Sequence, residues 1–226
     1  MGLRDILTGR HQVKGPAPDR LFAITTAYVT LESEHQIDPA GTAAIVFQAL
    51  ATSEFEATLA EMEQVVTATG GDSGTTVAMQ DDSYGYRWMI LRSPQGSPSV
   101  EDLAVGINAV SSSIESAGHG ERLLCAVFAF TERADRPGAG RVYFIYNYKR
   151  GYWYPFVPAD GADGADGADG ADGAGGSGGS GGSGDGAPDG EQRSTERELQ
   201  IKAQMADELP IEPELERWFP LWGIPI

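Results

Sequence analysis

The segment Leu209–Ile226, LPIEPELERWFPLWGIPI, follows a long Gly-rich tract yet carries two Trp, a Phe and several Leu and Ile. Disordered segments are poor in such residues, because they cannot bury enough apolar surface to offset the entropy of ordering. These side chains must therefore find cover. Either they return to the chain's own core or they meet a partner.

The tract spans residues 159–190. It repeats Gly-Ala-Asp from Asp160 to Gly173 and Gly-Gly-Ser up to Gly184. Glycine at every third position suggests collagen, but the repeat holds no proline and the run is too short. The spaced aspartates suggest calcium, but the apolar positions of a calcium-binding coil are missing. The composition reads as a disordered acidic spacer. Such a spacer has a root-mean-square span of about 30 Å. A compact domain built from the rest has a radius of gyration of about 16 Å. Self-docking of the tail is therefore geometrically easy, and Trp218, Phe219, Leu221 and Trp222 are expected in the core. Glu212, Glu214 and Glu216 would be its solvated face.

The formal charge of −17 is uneven: −6 over residues 1–158 and −11 over residues 159–226. Nucleic acid is a poor partner for that surface, since phosphate binding needs clustered cations. Cys125, the single cysteine, excludes an intramolecular disulfide and reads as a buried thiol. No run approaches the ~20 apolar residues of a membrane span. The start, MGLRDILTGR, lacks the apolar core of a signal peptide, so a cytoplasmic location is expected, with membrane contact at most peripheral. Residues 1–18 read as a flexible segment. Leu3, Ile6 and Leu7 could also form one face of a short surface helix.

Beyond Asp19, an N-cap candidate after Pro18, the residues Leu21, Ile24, Tyr28 and Leu31 recur at helical spacing. The β-branched content of that stretch keeps a strand open. Asp38-Pro39 and Gly41 punctuate, and Thr42–Leu50 reads as a strand. Ser53 with Glu56 forms a capping-box pattern for a helix whose stripe is Phe55, Leu59, Met62, Val65 and Val66. Thr75–Gln80 and Tyr86–Arg92 read as strands around DDSYG, with Tyr86, Trp88 and Ile90 on one face. Val100–Ala117 reads as an amphipathic helix with Leu103, Ile107, Val110 and Ile114 inward. Leu123–Thr131 is apolar enough for a central strand. Arg141–Lys149 and Tyr152–Val157 form a hairpin, and Thr195–Glu208 a polar helix. The fold class is α+β: a largely antiparallel sheet with helices mainly on one face, of the general kind seen in secretion chaperones. The expected organisation is an α+β domain over 19–158, the linker 159–190, and a C-terminal helix and apolar tail over 191–226 docking back.

No catalytic constellation stands out. His11, His35 and His119 lie far apart, without a second His or Cys at zinc spacing. Gly118-His119-Gly120 misses the third glycine of a dinucleotide fingerprint and precedes a strand. Ser73 in GDSGTT lacks the GxSxG frame. Asp81-Asp82 reads as turn chemistry. Arg150-Gly151-Tyr152 partly echoes an RNA-recognition signature, which Trp153 and Pro155 break. No catalytic, cofactor or metal residues are assigned. A polar pocket converging on Asp82, Arg87 or His119 would point to an enzyme. The aromatic stretch offers instead a candidate partner-binding set: Tyr148, Lys149, Arg150, Tyr152, Trp153 and Tyr154.

Several blocks, in order, carry a more specific signal: MGLRDILTGR, PDRLFAITTAYVTLE, YGYRWMIL, DLAVGINAV, RLLCAVFAF, VYFIYNYKRGYWYPFVP and ELPIEPELERWFPLWGIP. Together they resemble the PspA-associated protein PspAB family of actinobacteria and archaea, over nearly the whole chain except 159–190. The resemblance implies association with PspA, the coiled-coil membrane-remodelling protein of the phage-shock envelope-stress response. It also implies a connection to the membrane protease HtpX. It brings no catalytic residues. The function expected is a non-enzymatic cytoplasmic adaptor or regulator. The alternative is a chaperone-like module holding a peptide on its sheet.

Overall fold

A computed structural model describes residues 18–70, 74–133, 140–159 and 192–226. The N-terminal segment up to residue 17, Ser73 and almost all of the Gly-Ala-Asp tract lie outside the described residues. A short helical turn, Pro18–Leu21, leads into α1 (Ile24–His35). There follow β1 (Ile37–Gln48), α2 (Ser53–Gly70), β2 (Thr76–Asp81), β3 (Tyr86–Arg92), α3 (Val100–Ser116), β4 (Leu123–Glu132), β5 (Arg141–Asn147), β6 (Tyr152–Phe156) and α4 (Thr195–Met205). The strands form one antiparallel sheet in the order β2-β3-β1-β4-β5-β6. This is an α+β fold.

The 19–35 stretch is helical despite its β-branched residues, because Ile24, Ala27 and Leu31 bury on one side at helical spacing. Packing overrides propensity here. The helix does not start at Asp19. The chain turns at Phe22-Ala23, and Thr25 and Thr26 give their hydroxyls to the carbonyls of those two residues.

β1 begins earlier than Pro39 and Gly41 suggest. Pro39 pairs with Phe130, and a register shift between Pro39 and Thr42 absorbs Ala40 and Gly41, with Gly41 at φ 70°. The cap of α2 also shifts by one residue. Thr52, not Ser53, accepts the Phe55 N–H on its hydroxyl oxygen at 3.3 Å and the Glu56 N–H on its carbonyl at 3.1 Å. The β2–β3 turn is tight: Gly85 N–H donates to the Asp82 carbonyl, and Gly85 takes φ 84°, as a type I turn with a following bulge requires.

The core has two sides. On one, α1, α2, α3 and α4 set Leu31, Phe55, Leu103, Ile107, Ile201 and Met205 against Ile45, Phe47, Met89, Phe128 and Phe144. On the other lie Ala44, Val46, Trp88, Ile90, Val127, Tyr143 and Phe156. Trp88 and Ile90 share one face as expected, and Met89 and Leu91 are buried on the other, so β3 is covered on both faces. The corrected cap is checked by thermal melts. Thr52→Ala is expected to cost about 0.5–2 kcal/mol and Ser53→Ala a few tenths at most.

Candidate partner surface

The hairpin β5–β6 turns at Asn147–Gly151, where the Asn147 side chain accepts the Lys149 N–H and its carbonyl accepts Gly151 N–H. The two strands then fix the fate of the six candidate residues. Even and odd positions of β6 face opposite sides, and both sides are covered. Trp153 is 0 % exposed on the helix side, its ring 5.2 Å from that of Tyr146, and it donates its indole N–H to the Arg20 carbonyl. Tyr148 is buried on the same side. Tyr154 is buried on the other side. Burial raises the pKa of both tyrosines well above the ordinary phenol range.

Three of the six are therefore core residues, a correction to their reading as a partner face. Tyr152 is half-buried under the Arg20 guanidinium, 4.7 Å from the ring centre. Lys149 and Arg150 are the exposed ones of the six, and Arg150 is engaged by Glu212 at 2.5 Å. A peptide held on the Trp153 side of the sheet has no place to lie.

The tail accounts for much of this burial. After α4, Leu209 joins the helix-side core. Residues 210–212 then run along the outer edge of β6. Trp153 N–H donates to the Pro210 carbonyl, and Glu212 N–H donates to the Trp153 carbonyl. The segment crosses to the far face, where Trp218 stacks on Tyr154 at 6.2 Å and Trp222 meets Phe156 edge-on at 5.1 Å. Tyr143 gives its hydroxyl to the Ile226 main-chain oxygen at 3.0 Å. Trp218 is buried and Leu221 and Trp222 half-buried, but Phe219 is 58 % exposed, contrary to expectation. Glu212 is not a solvated residue either. Its side chain is 2 % exposed, held by Arg150.

A second buried carboxylate anchors α4. Glu198 is 0 % exposed, accepts Val157 N–H at 3.0 Å and pairs with Arg193, which also donates to the Trp218 carbonyl. Desolvation by burial outweighs Arg193 and Val157, so the Glu198 pKa stands above its ordinary value of 4.5. Neither Glu198 nor Glu212 is marked in the sequence. The only hint is a charged partner for each, Arg193 near in sequence and Arg150 remote from it.

The residues that could have marked an enzyme have structural partners. Asp82 accepts Tyr84 and Tyr86 N–H groups and the Trp88 indole, all at 2.9–3.0 Å. Arg87 bridges Asp81 and Glu56. The His119 ring lies edge-on to Phe55 at 5.0 Å. Among the described residues no group of three or more His, Cys, Asp or Glu is placed to hold a metal. Among the same residues no helix is long and apolar enough to cross a membrane.

A sheet closed by its own C-terminal segment defines an α+β class in which the tail is part of the core. The chain belongs to the PspAB family, described as PspA associated protein B: the family model matches residues 1–168 and 186–226. The unmatched stretch falls inside the Gly-Ala-Asp and Gly-Gly-Ser tract. Neither a curated protein nor a solved structure matches the chain.

Glu198 generates a pH prediction. A carboxyl whose folded pKa is raised contributes stability that is fully present below its unfolded pKa and is lost as pH rises through the folded value. The stability of the parent chain minus that of Glu198→Gln should therefore fall as pH rises from about 4.5 towards neutrality. Urea unfolding at stepped pH measures this. A difference that rises over that window contradicts the assignment.

Proposed function

We propose that this protein is a non-enzymatic adaptor or regulator that acts with a PspA-type protein in the envelope-stress response. The observation that carries the reading is the family match, which spans most of the chain and names PspA. Asp82, Arg87 and His119, the side chains most suggestive of chemistry, have structural partners. A cytoplasmic location at the inner face of the membrane, and a link to HtpX, belong to the same proposal.

Tagged full-length protein expressed at native level in envelope-stressed cells is the test. Recovery of PspA after crosslinking is the expected result, and recovery of HtpX with it tests the protease link. Failure to recover PspA, with the bait intact and abundant, refutes the partner assignment.

A further inference from the structure

The two edges of the sheet are finished differently. At β6 the outward main-chain N–H groups are answered, and so are the carbonyls of Trp153 and Val157. Trp153 pairs with residues 210–212. Pro155 has no N–H to satisfy, a tolerated place for proline in a strand. Val157 gives its N–H to Glu198 and receives one from Ser194.

At β2 no such closure exists among the described residues. The Asp82 N–H bond to the Tyr86 carbonyl fixes the phase of the β2–β3 ladder. Bonded and non-bonded pairs alternate in an antiparallel ladder. Gln80, Ala78 and Thr76 therefore bond to β3, while Asp81, Met79 and Val77 turn their N–H and C=O groups outward. An uncovered edge of this kind is a template for a further strand.

Beside this edge lies a cleft of about 260 Å3. Its far wall is one face of α2, where Glu56, Ala60 and Glu63 recur at helical spacing. Its floor is apolar, from Leu59 and Met79. Its rim is acidic: Glu56, Glu63 and Asp81 stand against the single guanidinium of Arg87. The volume is below the ~300–1,000 Å3 of small-molecule sites and suits one or two side chains. Glu56 and Glu63 are about 10.5 Å apart along the helix at 1.5 Å per residue. Two residues four apart on a strand are separated by roughly 13 Å and share a face.

We propose that the free edge of β2 and the cleft under α2 form the docking site for an extended partner segment. The segment adds as a seventh strand. It seats an apolar side chain on Leu59 and Met79, with Lys or Arg two residues to either side against the carboxylate rim. The inference rests on the adaptor reading for the identity of the partner, but not for the chemistry of the groove.

The test uses the full chain, isotope-labelled, titrated with the synthetic peptide Thr-Lys-Thr-Leu-Thr-Lys-Thr and with its Glu-for-Lys counterpart. The Lys peptide should shift the amide signals of Val77, Met79 and Asp81. The Glu peptide should bind at least about tenfold more weakly, from like charge at the rim. Two variants block the groove from opposite sides. Met79→Pro removes one outward N–H while leaving the β2–β3 ladder whole, and Ala60→Arg fills the cleft from an exposed helix position. Each should weaken the Lys peptide by about tenfold, the loss of one or two hydrogen bonds and their accompanying contact. Circular dichroism confirms that both remain folded.

Equal binding of the two peptides, or parental affinity in a folded Ala60→Arg, overturns the proposal. A parallel titration with a purified PspA-type protein separates the two claims. If the Lys peptide binds as described and PspA does not bind at all, the partner assignment fails and the groove stands. If PspA binds with undiminished affinity to both variants, the groove fails as its seat and the adaptor reading stands.

Discussion

Trp218 stacks on Tyr154 with its indole N–H donated to the Glu212 carbonyl at 3.0 Å, and the rest of the fold depends on that contact. A sheet with large apolar residues on both faces needs two covers. The helices provide one. The other is the tail, which the Trp218 contact fixes in place. A buried aromatic of this size removes roughly 150–250 Å2 from water, worth about 4–6 kcal/mol as an upper figure. Trp88 and Trp153 bury comparable area, but neither belongs to the tail. The Arg133–Asp38 pair, with both side chains well exposed, contributes about 0–1 kcal/mol.

The polar groups around the tail act more as direction than as strength. Arg193 holds Glu198 and the Trp218 carbonyl together, so it ties α4 to the tail. Arg150 holds Glu212 at the point where the chain leaves the β6 edge. Tyr154 gives its hydroxyl to the Phe219 carbonyl at 3.1 Å. Each of these leaves a buried charge or dipole unsatisfied if the tail slips, and that penalty exceeds the net worth of the bonds. Apolar area supplies the affinity of tail for sheet; the buried carboxylates select one register.

Much of the element order was readable because periodicity is a strong signal in α3 and β4. The fold class followed from hairpin-like spacing. Less was readable where a residue's role depends on a distant partner. Trp153 and Tyr154 looked like a surface because an aromatic strand with Lys and Arg beside it resembles one. Only the packing of Trp153 beside Tyr146 and Arg20, and of Trp218 on Tyr154, shows that they are covered. Glu212 looked solvated because it sits among other glutamates, and nothing local announces Arg150. Thr52 and Ser53 are both good caps, and one residue of register decides between them. The acidic cleft escaped notice because its two walls, Glu56 to Glu63 and Met79 to Asp81, are adjacent only after β2 pairs with β3.

Cys125 gives the most direct measurement of the central claim. It is buried on the tail-covered face, and burial pushes its thiol up to about 12. Shielding and the scarcity of thiolate both slow its reaction with a thiol reagent. Labelling kinetics at mildly alkaline pH compare the parent chain with a Trp218→Ala, Trp222→Ala double variant whose circular dichroism still shows the sheet. The account predicts very slow labelling in the parent and much faster labelling in the variant. Equal rates in the two folded proteins would mean that the tail does not close this face.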